Sequence, residues 1–434
     1  MCRHERASCY HCVSDLRSEK IGSSSCHHCV SDLRSEKIGS SSLSYRWIGP
    51  FCTAFLISII AMVVGFILMP SPIDPVEYVL PEPNELVGPL EPNDVLKHAE
   101  RLYSGKLNGP ESIVLDGDYI YVGTADGWVN VLHKGEVRKL VRFGQEPCGG
   151  MENEQICGRP LGMRMEEHGF LIVADAYLGL FQVNVVTGDY IQLFSSSTSV
   201  NGKPVRFLND LDIGPDGKIY FTHSSAKWNR NEFPMLFMEG VPNGRLLVYD
   251  PKTEVVSELM DKLLFANGVQ LTRDKSAVLV VETLKARVWR YDIKSGKASI
   301  WTENLSGLPD NIRYSKPSGT YFIGMARVRQ KGAALIDALS SKPWLRGQLA
   351  KLFGSNSIMF FEKMLFWCGP LCGSPKALAV ELNENGTVIR SMQDQTGEVI
   401  HRVSEVESSS GVFYFGSFDG NYLGRLYKKH IPGS

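Results

Sequence analysis

One phrase recurs along this chain and limits what it can fold into. Runs of strand-forming residues stand at YIYVGTA (119–125), FLIVADA (170–176), KIYFTHS (218–224), AVLVVET (277–283), TYFIGMA (320–326) and VFYFGSF (412–418). Apart from one long gap, their spacing is about 40–60 residues, the repeat length of a propeller blade. Turn signals separate them: Asp116-Gly117, Asp126-Gly127, Thr187-Gly188, Pro215-Asp216-Gly217, Ser295-Gly296 and Asn385-Gly386. Each unit reads as an inner strand, a turn, a second strand ending in small residues, then two outer strands. Six such units begin near Glu111, Leu161, Asn209, Asn267, Asp310 and Ser404. The expected fold is all-β, a six-bladed β-propeller over residues 97–434.

Four of the unit starts carry a polar residue ahead of an alternating strand pattern. They are Glu111-Ser-Ile-Val-Leu, Asn209-Asp-Leu-Asp-Ile, Asn267-Gly-Val-Gln-Leu and Asp310-Asn-Ile-Arg-Tyr. The third and fifth residues are apolar or aromatic, the period-two mark of a half-buried strand. Repeats set around one axis can aim their leading residues at one spot. Oxygen donors with two carboxylates among them suit a hard divalent cation, calcium above all.

The long gap holds a helical insertion at about 331–365. GAALIDAL (332–339) and PWLRGQLAKLF (343–353) have helical character. Pro343 suits a first helical turn, and Trp344, Leu345, Gln348, Leu349, Leu352 and Phe353 recur at helical spacing. The expectation is a helix packed by this stripe on the propeller; the alternative is a lid or a second membrane contact.

Ahead of the propeller the chain changes character. Trp47 to Met69 has no charged residue and is long enough to span a bilayer with some tilt. Arg17, Lys20, Arg34, Lys37 and Arg46 precede it; Asp74, Glu77, Glu82, Glu85, Glu91 and Asp94 follow it. The basic side belongs in the cytoplasm. A single-pass type II protein follows, a signal-anchor with 47–69 in the bilayer and the propeller lumenal or extracellular, at the plasma membrane or endoplasmic reticulum. Residues 70–96, with prolines at 70, 72, 75, 81, 83, 89 and 92, are expected as a semi-rigid stalk.

Residues 1–46 are expected as a disordered cytoplasmic tail, with Cys9–Ser25 repeated at Cys26–Ser42 apart from Tyr10 against His27. Its CxxC strings match zinc spacing but no apolar framework surrounds them. The net charge of −1 gives no pull toward nucleic acid. Asn304-Leu-Ser and Asn385-Gly-Thr are glycosylation sequons, in keeping with a lumenal propeller. In such a compartment Cys148, Cys157, Cys368 and Cys372 can form disulfides. Proximity favours Cys148–Cys157, although connectivity is not fixed by spacing.

These strings bear a resemblance. Gly109-Pro-Glu-Ser, Cys157-Gly-Arg-Pro-Leu-Gly, Ala174-Asp-Ala-Tyr-Leu-Gly-Leu-Phe, Phe207-Leu-Asn-Asp-Leu, Pro309-Asp-Asn-Ile-Arg and Tyr414-Phe-Gly-Ser-Phe span nearly the whole propeller. Together they resemble the strictosidine-synthase-like family, with more distant similarity to paraoxonase/arylesterase and regucalcin-like lactonase propellers. The resemblance implies six blades and a channel calcium held by Glu111, Asn209, Asn267, Asp310 and Asn311. It implies a Cys148–Cys157 disulfide and sets Glu405 where strictosidine synthase has its catalytic glutamate. Two positions depart from the relatives: Asp175 replaces the paraoxonase histidine, and His223 stands where the third-blade string usually has aspartate.

The chemistry implied is hydrolysis of a small-molecule aryl ester or lactone, with the metal stabilising the oxyanion. Asp310 is the candidate nucleophile or base, and Asp175, His223 and Glu405 are candidates for proton transfer. The bland reading of Asp175 and His223 is that each serves a turn at a strand end. The competing function is a non-catalytic propeller that binds a protein partner and holds a structural calcium.

Overall fold

A computed structural model describes residues 45–331, 335–353 and 376–432. The duplicated tail and the pair Cys368 and Cys372 lie outside the described residues. So do parts of the expected insertion. The chain divides into two compact units, Met1–Leu68 and Met69–Ser434.

In the first unit, α1 is a 24-residue helix, Tyr45–Leu68. Its described side chains, from Cys52 onward, are apolar apart from Thr53 and Ser58 and mostly exposed, Phe55, Ile60, Met62 and Leu68 among them. Among the described residues no helix is long and apolar enough to cross a membrane.

The second unit is built of six four-stranded antiparallel sheets. Blades 1 to 5 are consecutive in sequence, at 113–142, 160–195, 207–263, 266–302 and 307–394. Blade 6 takes three strands from 403–427, and its outermost strand is Glu100–Leu102 from the start of the domain, paired antiparallel with Leu423–Tyr427. This closure joins the two ends of the domain and leaves the ring without an open sheet. Each blade's inner strand lies beside the inner strands of two neighbours, from blade 1 around to blade 6 and back.

Burial falls from the axis outward and explains the sequence pattern. Second strands are pressed between neighbouring blades on both faces, so Ile219–Ser225 and Ala277–Glu282 are buried at every position. That is why they read as continuous strand-formers rather than as alternating strands. Outermost strands such as Ala298–Thr302 have no fully buried position and face solvent over most of their length.

Two expectations are corrected by packing. Residues 70–96 do not stand free as a stalk; they run along the propeller as a strap. Ile73, Tyr78 and Leu80 are buried. The strap touches three helices: α3 (Phe233–Glu239), α4 (Leu335–Ser340) and α5 (Pro343–Phe353). Val76 N donates to Glu239 O at 2.8 Å and Tyr78 N to Ser340 O at 3.3 Å. Prolines fix an extended backbone whose carbonyls stay free to accept. Arg329 donates to Pro81 O, Asn304 to Glu82 O and Arg346 to Val76 O. The stripe on α5 is packed only in part: Leu349 sits against Ile73, Met235 and Met238, and Leu345 and Gln348 are half-buried. Trp344 and Leu352 are exposed, whereas Arg346, Gly347 and Ala350 are buried. Arg346 stacks its guanidinium over Tyr78 at 4.8 Å and donates to Met238 O at 2.7 Å. A long amphipathic cation has taken the place a leucine would fill.

Candidate metal centre in the propeller channel

The inner strands share one irregularity, and it places the site. In blades 2 to 6 the ladder with the second strand skips two residues near its start. Register shifts fall between Pro160 and Met163, Leu208 and Leu211, Ala266 and Val269, Pro309 and Ile312, and Val403 and Val406. Bulges of this kind re-aim side chains away from the regular pleat. The skipped pairs are Leu161-Gly162, Asn209-Asp210, Asn267-Gly268, Asp310-Asn311 and Ser404-Glu405. In blade 1, Glu111-Ser112 precede the first paired residue, Ile113. The axis is crowded here. A side chain at Gly162 would meet Asp210 Cα at 2.5 Å, and one at Gly268 would meet Asp310 O at 2.7 Å.

The first residues of these pairs give Glu111, Asn209, Asn267 and Asp310, all at most 4% exposed, with Asn311 beside them at 1%. The two asparagine amides are anchored the same way. Asn209 Nδ2 donates to Ser224 Oγ at 3.2 Å, and that hydroxyl donates to Ala266 O at 2.6 Å, just ahead of Asn267. Asn267 Nδ2 donates to Thr283 Oγ1 at 3.1 Å, and that hydroxyl donates to Pro309 O at 2.8 Å, just ahead of Asp310. Each hydroxyl fixes one asparagine amide and the backbone just ahead of the next ring residue. It also sets the amide so that the oxygen is left over. Asn209 Oδ1, Asn267 Oδ1 and Asn311 Oδ1 are buried without a hydrogen-bond partner.

Orphaned buried acceptors cost about 1–3 kcal/mol each unless something else takes them. Asp310 carries the same strain in charge. Burial, and next the Glu111 carboxylate, push its pKa well above the usual carboxylate range. Three amide oxygens and two carboxylates, all buried, fit a divalent cation that takes oxygen and relieves both penalties. Among the described residues no group of three or more His, Cys, Asp or Glu side chains has that capacity. The centre is instead amide-rich.

Glu405 does not face this ring with a free carboxylate. It is the second residue of its skipped pair. Its Oε1 accepts from Ile113 N at 2.7 Å, and its Oε2 pairs with Arg313. Arg313 also holds Asp210, with Nη1 at 2.7 Å from Oδ2 and Nη2 at 3.1 Å from Oδ1. Asp210 accepts from Val269 N at 2.7 Å as well. One arginine from blade 5 thus ties blade 3 to blade 6. Desolvation raises the Glu405 pKa and Arg313 opposes that rise.

Asp175 and His223 occupy equivalent positions at the end of the second strand and serve their own blades. Pro160 pairs with Asp175, Leu208 with His223 and Ala266 with Glu282. His223 Nε2 faces Arg206 N at 3.2 Å and its Nδ1 faces Arg245 Nε at 3.1 Å. Glu282 does the same work in blade 4, accepting from Leu264 N and Arg287 Nε. Asp175 Oδ1 accepts from Tyr177 N and Leu178 N, both at 3.0 Å. Burial lowers the His223 pKa well below its ordinary value and raises that of Asp175 to about 6. Neither residue is bonded to the metal ring.

Sequence reasoning overlooked the residues that brace the ring: Ser224 and Thr283, Asp210 and Arg313, Arg159 and Arg230. Arg159 and Arg313 stand inside motif strings already noticed; a one-residue offset from each leading residue would have added Asp210 to the Glu405 already named. Cys148 and Cys157 form a disulfide with Cα atoms 5.2 Å apart, just before Arg159. Of the two sequons, Asn385 lies exposed in a turn, whereas Asn304 Nδ2 is committed to Glu82 O and Asn84 Oδ1 and Ser306 is buried.

A family model for strictosidine synthase matches residues 209–296, and one for the strictosidine synthase-like N-terminal region matches residues 88–130. The adipocyte plasma membrane-associated protein of Gallus gallus is 45% identical over 370 residues, covering 84% of this chain and 86% of that one. Its Homo sapiens counterpart is 42% identical over 385 residues, covering 87% and 90%. Protein strictosidine synthase-like 3 of Arabidopsis thaliana is 34% identical over 340 residues, covering 75% and 83%. Among solved structures, a putative gluconolactonase has a TM-score of 0.47 at 14% identity, covering 76% of this chain and 92% of that one. A calcium-binding protein, regucalcin, from Agrobacterium tumefaciens also has a TM-score of 0.47, at 11% identity, covering 75% and 92%. The sequence relatives, not these distant structures, fix the kinship: the chain belongs to the strictosidine-synthase-like family.

Proposed function

We propose that this protein is a membrane-anchored, calcium-dependent hydrolase of aryl esters or lactones, acting at the channel ring. The observation that carries the reading is the set of three unpartnered amide oxygens, Asn209, Asn267 and Asn311, beside the buried carboxylates Glu111 and Asp310. A calcium ion bound there supplies a Lewis acid for a carbonyl oxygen. Asp310 is the residue of this chain best placed to attack or to take a proton, because its carboxylate is held in the ring by burial rather than by an ion pair. Anchoring is read from the uncharged run at 47–69 in the sequence, with its basic flank assigned to the cytoplasmic side. The name of the relatives, plasma membrane-associated, supports the same side of the argument.

A second reading is a binding propeller with a structural calcium. What favours it is the engagement of Asp175, His223 and Glu405 elsewhere, which leaves Asp310 without a described proton partner. The deciding experiment is aryl ester and lactone hydrolysis by the full chain in nanodiscs, in calcium and in chelator, with Asn267→Ala alongside. Turnover should be abolished by chelator and fall at least about 100-fold in the variant. A folded, calcium-loaded protein that turns over neither class would leave the binding reading in place.

A further inference from the structure

The metal ring leaves a buried pair of cations unexplained. Arg159, directly after the disulfide, is fully buried. Its Nη2 donates to Gly109 O at 2.9 Å, Glu111 Oε2 at 3.2 Å and Phe418 O at 3.4 Å. Its Nη1 and Nε have no hydrogen-bond partner. A guanidinium does not give up its proton, so these N–H groups remain donors in want of an acceptor.

A second guanidinium closes on the same carboxylate. Arg230 Nη2 lies 3.9 Å from Glu111 Oε2. Its other end is pinned: Nη1 donates to Glu154 Oε1 at 2.7 Å and Oε2 at 2.9 Å, and Glu154 also accepts from Tyr177 OH at 2.9 Å. Arg230 keeps 8% exposure where Arg159 keeps none, so Arg230 is the outer member of the pair. Glu154 sits in the short helix α2, Glu154–Cys157, and Arg230 in a turn following the second strand of blade 3; both are connections rather than blade strands. Such segments are where binding groups concentrate. Asp126 also lies near Arg159, but its Oδ1 accepts from Thr124 Oγ1 at 2.5 Å.

Glu154 balances Arg230, but Arg159 and a divalent cation sharing the single Glu111 carboxylate leave positive charge uncompensated unless a further anion joins them. A carboxylate provides the acceptors that Arg159 lacks and the charge that the loaded ring needs. We propose that Arg159 and Arg230 form the anion subsite of the channel and receive a carboxylate of the substrate. This rests on the hydrolase reading above and narrows it to esters or lactones bearing a free carboxylate.

The test uses the full chain in nanodiscs. Calorimetry compares phenylacetate with its uncharged isostere phenylacetamide, in calcium and in chelator. The carboxylate should bind at least about tenfold more tightly in both conditions, and Arg230→Gln should remove that preference. No preference, a preference that disappears in chelator, or one that survives both Arg230→Gln and Arg159→Gln overturns the subsite. The wild-type comparison needs no variant to fold, and Arg159→Lys guards against collapse of a buried site. Hydrolysis is read separately, on aryl acetates with and without a ring carboxylate. Equal kcat/KM for the two esters overturns the subsite and leaves the hydrolase. Carboxylate binding without turnover of either ester overturns the hydrolase and leaves the subsite.

Discussion

Asp175 is a residue whose chemistry is decided by burial rather than by its neighbours in sequence. Its pKa rises from 3.8 to about 6, mainly through desolvation. The folded state therefore binds a proton that the unfolded state has already lost between about pH 4 and pH 6. Stability falls as pH rises through that window, by about 2–3 kcal/mol from this group. Asp175→Asn keeps the oxygen that accepts from Tyr177 and Leu178 and cannot ionise. We expect it to be more stable than the parent at pH 7, with the difference vanishing near pH 4, in urea midpoints taken across the range. A constant difference would assign Asp175 another role. His223 has the opposite sign: a depressed pKa loses stability as pH falls below about 6.5. Comparing variant with parent at each pH cancels that contribution.

At the level of the element, the inner strand is an arm of the channel site and a girder at once. Its bulge puts one residue in the ring of buried acceptors, and the next joins the network in which Arg313 bridges Asp210 and Glu405. A buried network is costly to break from one side, because the remaining charges lose their partner without regaining water. Arg313→Met should lose about 3–5 kcal/mol of unfolding free energy by chemical denaturation. Adding Asp210→Asn and Glu405→Gln should restore part of that loss. If the triple variant is no more stable than the single one, Arg313 works through packing alone. The strand pattern of these arms was legible as alternation. Their bulges were not, because a skipped pair depends on how closely the neighbouring blades approach the axis, as at Gly162 and Gly268.

For the whole molecule, the ring is closed twice. Glu100–Leu102 completes blade 6, and the strap ahead of it crosses α3, α4 and α5. Burying Ile73, Tyr78 and Leu80 contributes about 1.5–3 kcal/mol for each side chain before the entropy of ordering the strap is counted. A soluble protein beginning at residue 97 should melt roughly 5 °C or more below one beginning at residue 70. Equal melting temperatures would mean that the strap only decorates the surface.

The sequence by itself determined the all-β class, the six units and their starting residues. Those properties are local: strand propensity, turn residues and spacing are written in consecutive positions. It also set the polar residues that lead four of the units. What those residues do was decided by tertiary structure. Asn209 and Asn267 have oxygens to spare because Ser224, on the adjacent strand, and Thr283, just past the end of one, take their amide hydrogens. Glu405 and His223 looked like proton carriers in sequence, yet Arg313 and Arg245, brought from other strands, hold them. The proline-rich segment likewise has the composition of a stalk, and three apolar side chains with somewhere to bury turn it into a strap. A charge or a hydrogen bond is spent on the partner nearest in space, and folding alone chooses that partner.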